Sequence, residues 1–414
     1  MRLLLVTQYF WPETFIIDSL AKKLAEQGNH VVVLTGKPNY PVGKIFAGYR
    51  QRGIQSEWYG ENIEVLRVPL RPRSDGRAKN LFFNYLSFVW SGLRYFPRLV
   101  RDRQFDVILV FAISPITAAI PAILLKWRKK AHLAIWVLDL WPESLAATGF
   151  LRNRVALKLV GWMVKGIYFF ADTLLIPSQA FRLPVARYAK EDKIVYYPNS
   201  VDRSMFEGEE ATSLPDDLTS ILEKYFCVVF AGNVGKAQAA ETIVSACSRL
   251  KDLMGCRLVV VGSGSMLEWM RSEKMAKGLE NLVLAGRFPV NMMSQIYKRA
   301  AALLVSLKAE EIFFYTVPAK VQAYMAAGRP IIAALNGEGA RIVNEAKAGL
   351  TCPAEDPESL AARIRELYAM SEESRNGMGA AGRAYFLKHY DMDNQARNLI
   401  EILEGRISKT KTRR

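Results

Sequence analysis

Phe226-Cys227-Val228-Val229-Phe230 runs directly into Ala231-Gly232-Asn233-Val234-Gly235-Lys236, and residues 241–250 follow with helical periodicity. Five consecutive apolar residues bounded by a glycine turn predict a buried strand, and the helix after it predicts the opening of a βαβ unit. The stretch decides the fold because it lies past the middle of the chain and restarts a pattern already used once. Residues 2–7 form a short apolar run, residues 15–27 are periodic as a helix, Gly28 stops that helix, and Val31-Val32-Val33-Leu34-Thr35 is a second buried strand. Strands this apolar belong to a parallel sheet covered on both faces. Further strands are expected at residues 65–68, 107–111, 133–138 and 174–177 in the first half. In the second half they are expected at 258–261, 282–285, 302–307 and 330–334. The fold class is therefore α/β, with two Rossmann-like, doubly wound domains. At 414 residues the chain is long enough for both. We place the first domain at residues 1–203 and the second at 204–390. Residues 391–414 are read as a helix packing back on the first domain, followed by a basic tail. The linker is expected around 203–215, and ligands are expected in a central cleft at the carboxyl ends of the strands.

Composition narrows the class of partner. Half the residues are hydrophobic, which excludes a disordered chain, and 56 Lys and Arg against 40 Asp and Glu give a net charge of +16. Such a surplus suits an anionic partner: a membrane surface, a nucleic acid or a phosphorylated substrate. Residues 71–130 alone hold twelve Lys and Arg and three Asp and Glu, interleaved with aromatics. Cys227, Cys247, Cys256 and Cys352 show no C-x-x-C and no framework spacing, so reduced thiols are expected. The apolar start is too short for a signal peptide. Residues 107–125 are apolar enough to mimic a membrane span, but Ser114-Pro115 and Pro121 divide them, so a strand, a turn and a helix are expected.

Several ordered motifs carry a resemblance. They are Tyr9-Phe10-Trp11-Pro12-Glu13, Thr35-Gly36-Lys37-Pro38-Asn39-Tyr40-Pro41, Asp139-Leu140-Trp141-Pro142-Glu143 and Pro198-Asn199-Ser200-Val201-Asp202 with Phe206. The last is the segment from Val317-Pro318-Ala319-Lys320-Val321-Gln322 to Gly328. In this order the chain resembles family 4 retaining glycosyltransferases of the GT-B fold, in the subgroup of bacterial O-antigen and capsule N-acetyl-L-fucosaminyl transferases. The resemblance covers nearly the whole chain. It implies an acceptor-binding first domain and a second domain that binds a nucleotide sugar, with a UDP-sugar as substrate and no cofactor.

A sugar diphosphate needs cations and backbone N–H groups, which turns leading into helices supply. On the donor side this singles out Gly232, Asn233 and Lys236, then Gly262, Arg287 and Phe288, then Val317, Pro318, Lys320 and Gln322. The chain departs from the wider family where two glutamates are usual: Phe314 and Gln322 stand there, and Gln322 can offer a ribose hydroxyl a hydrogen bond without charge. On the acceptor side Trp11, Glu13, Asn39 and Tyr40 are singled out. Asp139, at a strand end, either orients or deprotonates an acceptor hydroxyl or serves as a turn residue, and Glu143 is the alternative carboxylate. His30 and His132 read as structural. Asp391-Met392-Asp393 imitates a D-x-D metal motif but reads as a helix cap, and no metal site is expected.

Residues 80–103 combine an apolar, aromatic stripe with Arg94, Arg98, Arg101 and Arg103, which suits either a bilayer interface or packing on the first sheet. The expected partners are a nucleotide-sugar donor, a polyprenyl-diphosphate-linked glycan and an anionic membrane surface, without nucleic acid. The expected location is cytoplasmic, peripheral at the inner face of a bacterial plasma membrane. A UDP-sugar 2-epimerase of GT-B-like fold and a non-catalytic sugar-nucleotide-binding protein are the alternatives, and fold alone does not choose between them.

Overall fold

The computed structural model describes residues 1–207 and 213–412. The chain divides into two compact units, one of residues 1–199 with the last helix, the other of residues 200–391. The first unit runs β1 (Arg2–Val6), α1 (Ile16–Glu26), β2 (His30–Gly36), β3 (Gln55–Tyr59), β4 (Ile63–Val68), α2 (Ala78–Leu99), β5 (Val107–Ala112) and α3 (Ala119–Lys129). It continues through β6 (His132–Val137), α4 (Glu143–Ala147), α5 (Arg154–Phe170), β7 (Thr173–Ile176), α6 (Arg182–Ala186) and β8 (Ile194–Tyr196). The strands form one sheet in the order β3-β4-β2-β1-β5-β6-β7-β8, parallel except for the β3–β4 pair. Chain order reverses between β1 and β5, which pair in register from Leu3↔Val107 to Val6↔Val110. Every residue of β5 and β6 is buried, as a central strand covered on both faces requires.

The second unit runs α7 (Ser204–Glu207), α8 (Asp216–Lys224), β9 (Phe226–Ala231), α9 (Ala240–Arg249), β10 (Cys256–Val261), α10 (Leu267–Lys277), β11 (Leu282–Gly286) and α11 (Met293–Arg299). Then come β12 (Ala302–Ser306), α12 (Glu311–Tyr315), α13 (Ala319–Ala327), β13 (Ile331–Ala334), α14 (Glu338–Glu345), β14 (Gly349–Cys352), α15 (Pro357–Ala369) and α16 (Glu372–His389). Its six strands are all parallel, in the order β11-β10-β9-β12-β13-β14, with the reversal between β9 and β12. A final helix, α17 (Met392–Thr412), sets Met392, Ala396, Leu399 and Leu403 into the core of the first unit. Their spacing of four, three and four residues is one helical face, and α1 presents Ile17, Leu20, Ala21 and Leu24 to the same core.

Several expectations need correction. The sequence reading omits β3, β8 and β14. β3 reads Gln-Ser-Glu-Trp-Tyr and alternates between exposed and half-buried positions at the sheet edge, so it lacks the apolar run used to recognise strands. β8 and β14 are three and four residues long. The first unit ends at Asn199 rather than at 203. Val201 bridges to Asp391 and its N–H donates to the Tyr390 carbonyl at 2.9 Å, which puts residues 200–203 and Asp391 in the second unit. Pro121 does not divide the segment after β5; it lies in the first turn of α3, where a missing N–H costs nothing. Part of the expected linker, residues 208–212, and the tail residues Arg413 and Arg414 lie outside the described residues.

Candidate functional site

In the second unit β9 and β12 pair at only two positions, Ala302↔Val228 and Leu303↔Val229. Beyond these they part toward their carboxyl ends, and α13 takes up the gap. The Tyr324 hydroxyl accepts from the Ala231 N–H at 3.1 Å and donates to the Ala231 carbonyl at 3.3 Å, so a side chain replaces the missing strand partner. Lys320, one turn earlier, points to the same split. Its ammonium lies 3.5 Å from the Phe230 ring centroid, and Gly232 is so close that a Cβ there would meet Lys320 Cε at 3.0 Å. That nitrogen is buried without a hydrogen-bond partner among the described residues. Burial pulls its pKa down to about 7. A cation held this way is unsatisfied, and a cation–π contact offsets only part of the loss of water.

The glycine turn beside it is interlocked with the next one. Gly232 N–H donates to the Val261 carbonyl at 2.8 Å, and Val234 N–H donates to that of Ser263 at 2.8 Å. Gly262 and Gly264 have φ of +150° and +158°, and a Cβ on Gly262 would fall 1.8 Å from the Gly232 carbonyl oxygen. Only glycine fits. Gly262 N–H in turn donates to Gly286 at 2.7 Å, which brings the exposed Arg287 and the half-buried Phe288 to the carboxyl ends of the same strands. Gly235 N–H is taken by Gln238 Oε1 at 3.1 Å.

These contacts correct the expected roles of the turn. The N–H groups of Gly232, Val234 and Gly235 are already engaged, so the turn contributes shape more than backbone donors. Lys236 is exposed on a single 3-10 turn, and Ala239, in a left-handed conformation, separates it from α9. Pro318 precedes α13 as its cap instead of filling the first turn. The early N–H groups of α13 have no partner within the helix, and Val317 and Pro318 flank them half-buried. Gln322, expected to meet a ribose, is turned into the core of the unit at 1% exposure, because its position on α13 faces the sheet. Phe314 is exposed and borders a cavity of about 60 Å³ with Lys308, Glu310 and Asn336 after β12 and β13. Sequence reasoning missed Phe230 and Tyr324; an aromatic at the end of a central strand and another on a facing helix give no signal until the two meet.

In the first unit the loops after β1, β2, β5 and β6 all leave the same edge of the sheet. Glu13, buried at 2% exposure, accepts from Asn39 and Tyr40 N–H, both at 2.7 Å, and from Phe10 N–H at 3.2 Å. Burial raises its pKa to about 7 against those three donors. Asp18 does the same for Trp11 and Phe15, at 3.0 and 2.9 Å. Arg67, fully buried on β4, reaches the carbonyls of Gly36 and Trp11 and pairs with Glu57. The Asn39 side chain donates to the Lys37 carbonyl at 3.0 Å and accepts from Arg73 N–H at 3.1 Å. Glu13 and Asn39 therefore hold the two loops together and do not face outward.

What the loops expose is aromatic. Trp11 and Tyr40 are more than a third exposed, and Tyr40 packs with Tyr9 and Phe15 at ring distances of 5.7 and 5.3 Å. Arg73 lies 4.8 Å over the Tyr40 ring, a cation the sequence reading did not select. Asp139 sits two residues past β6, half-buried, and accepts from the Ser144 hydroxyl and from Trp141 Nε1 at 3.2 Å. Burial raises its pKa and these hydrogen bonds oppose the rise. Glu143 opens α4, with Tyr188 Oη at 3.4 Å and Arg187 at 3.7 Å. His132 Nε2 sits 2.9 Å from Thr173 Oγ1 and burial lowers its pKa to about 4, consistent with a structural role. Asp391 is buried in the strand bridge, and Asp393 pairs with Lys23 at 3.2 Å, so the two serve separate units.

Comparison with known proteins gives two family matches. "Glycosyl transferase 4-like domain" matches residues 15–200 and "Glycosyl transferases group 1" matches residues 226–370. The chain is 26% identical over 323 residues to "Probable glycosyltransferase WbjE" of Pseudomonas aeruginosa, covering 74% of this chain and 77% of that one. It is 24% identical over 297 residues to "Putative colanic acid biosynthesis glycosyl transferase WcaI" of Escherichia coli, covering 68% of each. Among solved structures, "Trehalose-6-phosphate from E. coli bound with UDP-2-fluoro glucose" superposes with a TM-score of 0.73 at 12% identity, over 97% of this chain and 99% of that one.

Proposed function

We propose that this chain, a group 1 glycosyltransferase of the GT-B fold built from two Rossmann-like domains, transfers a sugar from a UDP-activated donor to a lipid-linked glycan. A deoxyamino sugar such as N-acetyl-L-fucosamine is the proposed cargo, and O-antigen or capsule assembly the proposed setting. Supporting this, one relative is named for colanic acid biosynthesis and one structural neighbour is bound to a UDP-sugar. Relatives named as glycosyltransferases favour transfer over epimerisation.

The observation that carries the reading is the Lys320 ammonium, buried and unpartnered at the split between β9 and β12. Ligands of open α/β sheets sit where chain order reverses, and this is that place in the second unit. A donor diphosphate supplies the charge Lys320 lacks, with the first N–H groups of α13 beside it. Arg287 and Lys236 are exposed within the same set of strand ends. On the acceptor side, Asp139 orients the attacking hydroxyl, and the configuration at the anomeric carbon is retained, with the leaving phosphate helping to take the proton. In that scheme positioning matters more than a strong base.

The test is Lys320→Ala. It is expected to weaken UDP binding by about 1–3 kcal/mol, as for loss of a charge-assisted hydrogen bond. Unchanged affinity in titration calorimetry removes Lys320 from the donor site and the reading loses its main support.

A further inference from the structure

The helices α2, α3 and α5 lie side by side in the first unit. Gly92 of α2 is tight against α3, where a Cβ would meet Pro121 Cγ at 2.6 Å, and Trp127 of α3 stacks edge-on with Phe170 of α5 at 5.2 Å. Their buried sides face the sheet. On α5 the outward side carries Val155, Leu159, Trp162 and Phe169, of which Trp162 and Phe169 are each 71% exposed. At 100° per residue these four fall within an arc of about 80°. The buried residues Val164, Ile167 and Tyr168 lie on the opposite side. Trp90 on α2 and Trp127 on α3 are likewise exposed. The fifty residues of these three helices contain nine Lys and Arg and no Asp or Glu.

Beside the α5 stripe is a cavity of about 400 Å³ bordered by Lys158, Gly161, Trp162, Lys165, Arg187 and Tyr188. Gly161 keeps it open, since a Cβ there would stand 3.3 Å from the Tyr188 ring. Lys158 and Lys165, two turns apart on one flank of the stripe, have no ion-pair or hydrogen-bond partner among the described residues. No helix among the described residues is long and apolar enough to cross a membrane.

We propose that this face docks on an anionic phospholipid bilayer, with the α5 stripe in the headgroup–acyl boundary and a lipid phosphate in the Lys158–Lys165–Arg187 cavity. Aromatic residues on one side of a helix flanked by lysines match the interfacial zone, where apolar burial and attraction to anionic lipid add. Charge selects the occupant: a protein partner would need a strongly acidic face to match nine cations, whereas an anionic bilayer supplies one at any position. The proposal rests on the reading that the acceptor is lipid-linked, and it shifts the expected contact from residues 80–103 toward α5.

The experiment is flotation with vesicles of phosphatidylcholine, with and without phosphatidylglycerol. The wild type should float only with phosphatidylglycerol, and less so as salt rises. A cation near such a surface is worth about fivefold in partition, so Lys158→Glu with Lys165→Glu should lower it at least tenfold. Trp162→Ala with Phe169→Ala should do the same, with UDP affinity and the thermal midpoint unchanged in both pairs. Equal partition of the wild type onto the two vesicle types overturns the proposal, as does full partition of the lysine pair. Self-association of the wild type that Trp162→Ala abolishes would make a second copy the occupant and also overturn it. Transfer to a lipid-free acceptor analogue is scored separately. Vesicle binding without transfer sinks the acceptor reading alone, and transfer without vesicle binding sinks this surface alone.

Discussion

Residues 1–199 and 392–414 hold 34 Lys and Arg against 17 Asp and Glu, whereas residues 200–391 hold 22 against 23. The whole positive charge of the chain thus belongs to one unit. So do the five tryptophans that are more than a third exposed, at 11, 58, 90, 127 and 162. The other unit is close to neutral and places one lysine out of water beneath a glycine turn. The difference separates two ways of meeting an anion. An extended anionic partner responds to summed surface charge, which salt screens; a small anion responds to one desolvated cation, which salt barely touches. Nearly equal folds can therefore specialise without changing their strands.

The largest effect that would sharpen this contrast is expected at Asp139. Asp139→Asn should cut turnover on the order of a hundredfold while leaving UDP affinity unchanged, because it acts from the first unit only. Steady-state kinetics beside calorimetry decides it. Turnover within a few-fold of wild type would pass the role to Glu143 or to the donor phosphate.

Next in size is a pH effect confined to the second unit. Lys320 is neutral above about pH 7 when the site is empty. A bound diphosphate restores its charge, so binding above pH 7 takes up a proton, and UDP affinity should fall by up to about tenfold per pH unit there. The same sign governs stability. The lysine's pKa is lowered by folding, so burying it is costliest below about pH 7 and the cost lessens as pH rises toward the unfolded value. Calorimetry in buffers of different ionisation enthalpy should count close to one proton at pH 8. A flat affinity profile from pH 7 to 9 would break the contrast, leaving bulk charge to do the work in both units.

A smaller effect belongs to Glu13. Glu13→Ala leaves three buried backbone N–H groups without acceptors and should destabilise the first unit by roughly 2–4 kcal/mol, with UDP affinity unchanged. In the wild type this carboxyl holds its proton in the folded state up to about pH 7, so its contribution to stability declines as pH rises from 4.5 to 7. Thermal unfolding across that range checks both statements. No effect at all is expected from EDTA on transfer. Loss of activity restored by Mg²⁺ or Mn²⁺ would mean that a metal shares the phosphate with Lys320.

The two units were not equally legible in the sequence. Apolar runs located β1, β2, β5, β6 and β9 because each is a central strand whose two faces are both covered, and there hydrophobicity and position coincide. They failed for β3, where one alternating polar edge strand carries no such run. At the candidate sites, motifs located the right loops but not the direction in which side chains turn. Glu13 and Asn39 carry polar groups that would serve an acceptor equally well. They are spent instead on each other's backbone, a pairing between loops 26 residues apart that only the sheet brings together. Lys320 was selected for its charge; its burial follows from Phe230 and from the early parting of β9 and β12, neither of which has a local pattern.

The placement of α17 bears on how the chain is made. Met392, Ala396, Leu399 and Leu403 are each at most 2% exposed and pack in the same core as Leu3 and Leu5, although nearly 400 residues separate them along the chain. During synthesis the whole of the second unit leaves the ribosome before those four side chains exist. The first unit to be started is thus the last to be completed, and until then its core presents an apolar gap next to α1. A nascent chain in that state is a natural client for a chaperone, and a stop codon anywhere before residue 392 would strip the first unit of part of its interior.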